Sequence, residues 1–168
     1  MKRVLVVLSI SMLTLFSYGQ SYQTAIGLKG GNVGGGVAGG GGFNIKHFFA
    51  GSNAIEATVG LGRYHFNAQA LYEWQHGLDE SIGLDWYVGL GGTVGSWRGT
   101  WTNHPVYGNT YSRGFYLGAN GAVGLDWNLE SVLNLPLDIA VDVGPYFGII
   151  NSGAWGWGGG FALRYILQ

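Results

Sequence analysis

From Tyr22 onward, apolar residues recur at every second position rather than every third or fourth. A period of two puts alternate side chains on opposite faces of a strand; a helix face would repeat at 3.6. Eight segments carry the pattern: Tyr22–Gly30, Gly35–Lys46, Ala54–Tyr64, His65–Gln75, Ser81–Trp97, Gly114–Asn128, Leu137–Ile149 and Trp157–Gln168. In the fifth, Ile82, Leu84, Trp86, Val88 and Leu90 oppose Gly83, Asp85, Tyr87 and Gly89. In the seventh, Leu137, Ile139, Val141 and Val143 oppose Asp138, Ala140, Asp142 and Gly144. Soluble strands typically run ~5–6 residues, so these segments better suit the ~9–11 residues of a tilted membrane strand.

The connections have a sidedness. His47–Asn53, His76–Glu80 and Leu129–Pro136 are short and fall at one end. At the other end Arg98–Arg113 is the longest, with shorter links near Gly31–Gly34 and Asn151–Gly156. Short turns at one end and a longer loop at the other follow the outer-membrane plan. The break near Tyr64 is the least marked.

Alternation alone would also suit a soluble barrel, so the faces must be assigned. Charged residues make up 10% of the chain and aromatic residues 15%, against roughly 25% charged in a soluble domain. The polar face is rich in Gly, Ala and Asn, which suit a narrow interior better than a wetted surface. Aromatic residues gather near strand ends, as two interfacial girdles require. Trp74, Trp86, Trp127 and Tyr165 lie toward the short-turn end, and Trp97, Phe115, Phe147 and Trp157 toward the loop end. The last segment keeps Phe161, Leu163, Tyr165 and Leu167 in register. It is expected to pair with the first, since hydrocarbon tolerates no open edge.

The tetrapeptide Gly-Leu-Asp-Trp occurs at Gly83–Trp86 and again at Gly124–Trp127. The fifth segment rises from the short-turn end and the sixth returns to it. Both copies are therefore expected at one level, with Trp86 and Trp127 outward and Asp85 and Asp126 inward.

With Leu135-Pro136-Leu137-Asp138 opening the seventh segment, Val143-Gly144-Pro145 within it and an alternating last strand, the chain resembles the small eight-stranded outer-membrane barrels of Gram-negative bacteria. Outer-membrane proteins X and W and the membrane domain of protein A belong to that class. The resemblance covers roughly Tyr22 to Gln168. It implies an all-β fold: a closed antiparallel eight-stranded up-and-down transmembrane β-barrel in the bacterial outer membrane. It also implies delivery by the barrel-insertion machinery, for which the last strand resembles an assembly signal. That class usually ends in an aromatic residue, whereas this chain ends Leu167-Gln168. Functions vary across the class, so the fold transfers better than any activity.

Residues 1–19 read as a cleavable signal peptide and 20–168 as the barrel. Lys2 and Arg3 precede an apolar stretch, Val4 to Phe16, and Ser17-Tyr18-Gly19 offers small residues for cleavage. That stretch is too short for an ordinary spanning helix.

The candidate chemistry is sparse. There is no cysteine, which excludes disulfides, thiol nucleophiles and Cys-type zinc sites. No basic run suggests nucleic acid. Gly34-Gly35-Gly36-Val37-Ala38-Gly39 satisfies the dinucleotide spacing but is followed by glycine and a strand, not a helix, so no cofactor is expected. His47, His65, His76 and His104 form no zinc pattern and no linked catalytic set, so no enzyme is expected. The inward polar positions are more informative. Glu56, Glu73, Asp85, Asp126 and Asp138 map toward the short-turn end, with Asp142 beyond them and Lys46 and Arg164 as the expected cations. A polar plug of ion pairs is the expectation, since buried charges need partners. The 98–113 loop, with Arg98, Trp101, Tyr107, Tyr111 and Arg113, is the expected outward contact surface, facing outer-membrane lipid, lipopolysaccharide or an extracellular ligand. Small-solute or ion transport and lipid A modification are the rival readings.

Overall fold

The computed structural model describes residues 22–31, 41–61, 65–98, 101–102, 110–111, 113–152 and 155–167. Its strands are β1 (Thr24–Gly31), β2 (Gly42–Ala50), β3 (Asn53–Leu61), β4 (His65–Asp79), β5 (Leu84–Trp97), β6 (Trp101–Thr102), β7 (Thr110–Tyr111), β8 (Gly114–Asn128), β9 (Leu137–Ile150) and β10 (Trp155–Leu167). One short helix, α1 (Glu130–Leu133), lies between β8 and β9. Eight strands close a barrel in the order β1-β10-β9-β8-β5-β4-β3-β2, each antiparallel to its neighbours. The remaining pair, β6 and β7, forms a small sheet inside the β5–β8 connection. The first strand meets the last from Thr24↔Leu167 to Gly31↔Gly160, which leaves the sheet no open edge.

Two turns differ from the sequence reading. β2 runs past Lys46 to Ala50, so the connection to β3 shrinks to Gly51 and Ser52, with Gly51 at φ +58°. The sequence assigns His47–Asn53 to a connection, yet the alternation carries on into it. Phe48 is in fact an inward position, followed by a register shift before Ala50. β4 likewise runs through His76 to Asp79, paired with the start of β5, and the connection is the 3-10 turn Glu80–Ile82 plus Gly83. At φ +64°, and with Ser131 Oγ and the Asn128 carbonyl where a side chain would sit, position 83 admits only glycine comfortably. The Gly34–Gly39 motif, the residues around Tyr64, residues 1–19 and His104 lie outside the described residues.

The two faces are chemically opposite, and inverted relative to a soluble protein. On β1, Leu28 is 68% exposed on the outside while its neighbour Lys29 is 2% exposed within. Ile45, Ile55, Val59, Leu90, Val123, Val143 and Phe161 are all exposed outward, whereas Lys46, Glu56, Glu73, Asp138 and Arg164 are fully buried. Such a wall is unfavourable in water and well matched to hydrocarbon, where every strand hydrogen bond must be made within the sheet. By this distribution the chain is a transmembrane barrel. The face rich in Gly, Ala and Asn lies inward, and among those small residues charged side chains, glutamines and tyrosines take up much of the bore. The small residues make room for them.

Candidate functional site

The lumen divides into two parts. Toward the turn end, charged side chains from seven strands converge. Lys46 on β2 bonds Asp126 on β8 and lies 2.9 Å from Glu73 on β4. The Glu73 oxygens accept no directed hydrogen bond, so that contact is one of charge. Arg164 on β10 pairs with Glu56 on β3, donates to Asp138 on β9 at 2.6 Å, and sends Nε to Asn44 Oδ1 at 2.5 Å. Lys29 on β1 reaches Glu56 at 2.5 Å and Asp142 at 2.6 Å. Neutral donors add three further bonds to the acids. Gln75 Nε2 donates to Asp126 at 3.0 Å, the Tyr22 hydroxyl to Asp138 at 3.1 Å, and the Tyr87 hydroxyl to Asp142 at 2.9 Å. The Tyr87 ring also lies 4.7 Å from the Lys46 ammonium, a cation–π contact between two buried groups.

This arrangement is an interlocked plug. Glu56 bridges Lys29 and Arg164, and Asp126 bridges Lys46 and Arg164, the latter at 3.9 Å. Three cations thus meet five carboxylates in one connected network spanning the bore. Low local dielectric makes each pair strong and each orphan costly, so the members stabilise one another only as a set. Asp85, half-buried, shares the inward parity of Tyr87 and stands opposite Asp126 in register. The two Gly-Leu-Asp-Trp copies therefore meet side by side on β5 and β8. Trp86 and Trp127 are exposed outside; Trp86 stacks on His76 at 4.7 Å, and Trp127 Nε1 donates to the Ile82 carbonyl at 2.7 Å.

Toward the loop end the filling changes. Thr93 Oγ1 donates to Asn120 Oδ1 at 2.9 Å, and above them Trp97, Tyr116 and Tyr146 form a buried aromatic cluster. Each tyrosine lies over a glycine of the adjoining strand. Any Cβ at Gly95 would overlap the Tyr116 ring, and one at Gly118 the Tyr146 ring; the same pairing recurs lower down, where a Cβ at Gly124 would fall within 2.5 Å of the Tyr87 ring. Glycine weakens a strand by exposing its backbone, and a cross-strand aromatic ring restores the lost contact.

Trp97 corrects the predicted girdle. It is 8% exposed and points into the barrel, packed 5.4 Å from Tyr116 between ring centres. Eleven residues separate it from outward Trp86, and an odd separation reverses the face. The other girdle residues, Trp74, Trp86, Phe115, Trp127, Phe147, Trp157 and Tyr165, are exposed outward. Lys29 was missed as a member of the plug, although it sits on the polar face of the first segment. Asn44, Gln75, Tyr22, Tyr116 and Tyr146 were missed too; inward parity marked them, but uncharged residues carried no separate signal.

Around the loop, Arg98 and Arg113 are exposed, one residue beyond the last β5–β8 pair, Trp97↔Gly114. Trp101 pairs with Tyr111 across β6 and β7; their side chains, and Tyr107 altogether, lie outside the described residues. Thr24 Oγ1 and His47 Nδ1 are 2.9 Å apart at the turn end, with no carboxylate bonded to that imidazole among the described residues. No group of His and acidic residues among the described ones could hold a metal.

No protein-family model matches the chain, and no curated protein sequence does. Solved structures do. The N-terminal β-barrel domain of Pseudomonas aeruginosa OprF is similar with a TM-score of 0.57 at 16% identity, over 86% of this chain and 100% of that one. Neisserial surface protein A is similar with a TM-score of 0.49 at 10% identity, over 87% of this chain and 97% of that one. The OprF likeness is one of fold: the chain has the eight-stranded barrel of a bacterial outer-membrane protein.

Proposed function

We propose that the chain is an integral protein of the bacterial outer membrane with a structural or surface-contact role, its lumen closed and its outward contact made through the 98–113 loop. The observation that carries this reading is the plug. Eight strands leave an interior just wide enough for side chains, and here the bore is crossed by a continuous ion-pair network with an aromatic layer above it. What meets the periplasm or the exterior is therefore the barrel's ends. Outer-membrane lipid and lipopolysaccharide are its proposed surroundings, and the barrel-insertion machinery its proposed assembly partner. The 98–113 connection supports the outward role because it carries its own small sheet, β6–β7, beyond the barrel rim.

The test has two parts. Expressed protein should fractionate with outer membranes and shift its gel mobility on heating. Reconstituted in planar bilayers it should pass no steady current. A sustained conductance would instead favour small-solute or ion transport. A change in lipid A mass on expression would favour a lipid-modifying enzyme.

A further inference from the structure

Charged residues outside the lumen sort strictly by end. From Tyr22 onward the chain has six cations. Lys29, Lys46 and Arg164 are in the plug. The other three, Arg63, Arg98 and Arg113, all belong to connections at the loop end, Arg63 by its chain position between β3 and β4 alone. The acids outside the lumen, Asp79, Glu80 and Glu130, all lie at the turn end. A barrel indifferent to its surroundings would mix the two signs at each rim.

Two of the loop-end arginines are neighbours. Trp97 and Gly114 are the last paired residues of β5 and β8, and Arg98 and Arg113 follow on either side of that pair. Both are exposed, and neither makes an ion pair among the described residues. Like charges on adjacent strands repel, so leaving them unpaired costs stability. An anion held between them reverses the sign of that cost. Their height identifies which anion. Phe115 is exposed one residue below Gly114, and Phe147, Trp155 and Trp157 are exposed outward at the same end. An aromatic belt marks the boundary of the hydrocarbon, so cations just above it stand among headgroups. Phosphate is the headgroup anion that takes two guanidinium forks at once.

We propose that Arg98 and Arg113 form a rim site for the phosphate of an outer-leaflet lipid headgroup, anchoring the base of the 98–113 loop to the membrane surface. The inference rests on the membrane-barrel reading above and deepens it by naming the partner's chemistry.

The experiment reconstitutes the full barrel in vesicles of equal phosphatidic acid and phosphatidylcholine and measures the lipid retained by native mass spectrometry. The native protein should keep the phosphate-monoester lipid over the zwitterionic one by at least about fivefold. Arg98→Gln with Arg113→Gln should lose that preference, and each single variant should lose part of it, while Glu130→Gln at the opposite end keeps it. Heat-shifted gel mobility shows that each variant is folded before it is measured. Equal preference in the native and double-variant proteins would overturn the site. Loss of the lipid to millimolar inorganic phosphate would overturn the headgroup assignment and make it a free-anion site. A failure of the barrel reading looks different: the native protein would be missing from the vesicle fraction altogether.

Discussion

The two halves of this lumen fill the same narrow bore with different physics. At the turn end, Lys29, Lys46 and Arg164 are locked to five carboxylates carried on other strands. At the loop end, Trp97, Tyr116 and Tyr146 fill space by contact, with glycines on neighbouring strands cut away beneath the tyrosines. The first half depends on charge balance and tolerates no missing partner. The second depends on shape, and answers to volume rather than to sign. A small barrel can be closed either way; this chain uses both in series.

The contrast can be attacked from each side. Arg164→Ala should be the most damaging change, because it strands Glu56 and Asp138 in the interior with only Lys29 and Tyr22 left to answer them. Breaking a buried pair by removing one partner costs about 3–5 kcal/mol. Urea unfolding of the reconstituted barrel, followed by tryptophan fluorescence and gel mobility, measures it. A loss below about 1 kcal/mol would be that of a solvated surface pair and would end the idea of an interlocked plug.

Gly118→Val should rank second. Its side chain would occupy the space of the Tyr146 ring, and overpacking a filled interior costs about 1–3 kcal/mol. Adding Tyr146→Ala should recover part of the loss, giving a coupling between the two sites in a double-mutant cycle. Strict additivity would show that glycine is there for some reason other than the ring. Trp97→Phe should cost least, since it leaves only a small cavity, whose cost scales with its volume, and strands no charge. If it proved as damaging as Arg164→Ala, the division into a charge-filled and a shape-filled half would collapse.

Much of this architecture was legible before any coordinates. A period of two is a local property, so Gly114–Asn128 was readable to the residue, and Asp85 and Asp126 could be set inward at one level from chain direction alone. Closure of β1 on β10 followed from the physics of hydrocarbon. The strand ends were less legible. At His47 and His76 the alternation continues into a stretch assigned to a connection, and only pairing with the next strand decides. Trp97 shows a different failure: its position near a strand end suggested a girdle, whereas counting parity from Trp86 turns it inward. The partners within the plug were not legible at all. Which carboxylate Lys46 or Arg164 meets depends on the shear of the closed sheet, and that is a property of eight strands together.

On this account the barrel wall has lipid outside and a sealed, occupied interior. Trp97 and Trp157 test it together, because both lie toward the loop end on opposite sides of the wall, at 8% and 59% exposure. Two single-tryptophan proteins, with the other six indoles replaced by phenylalanine, would be reconstituted in vesicles containing brominated lipid. Strong quenching of Trp157 with little quenching of Trp97 is the predicted result. Equal quenching of both, or none of either, would contradict it.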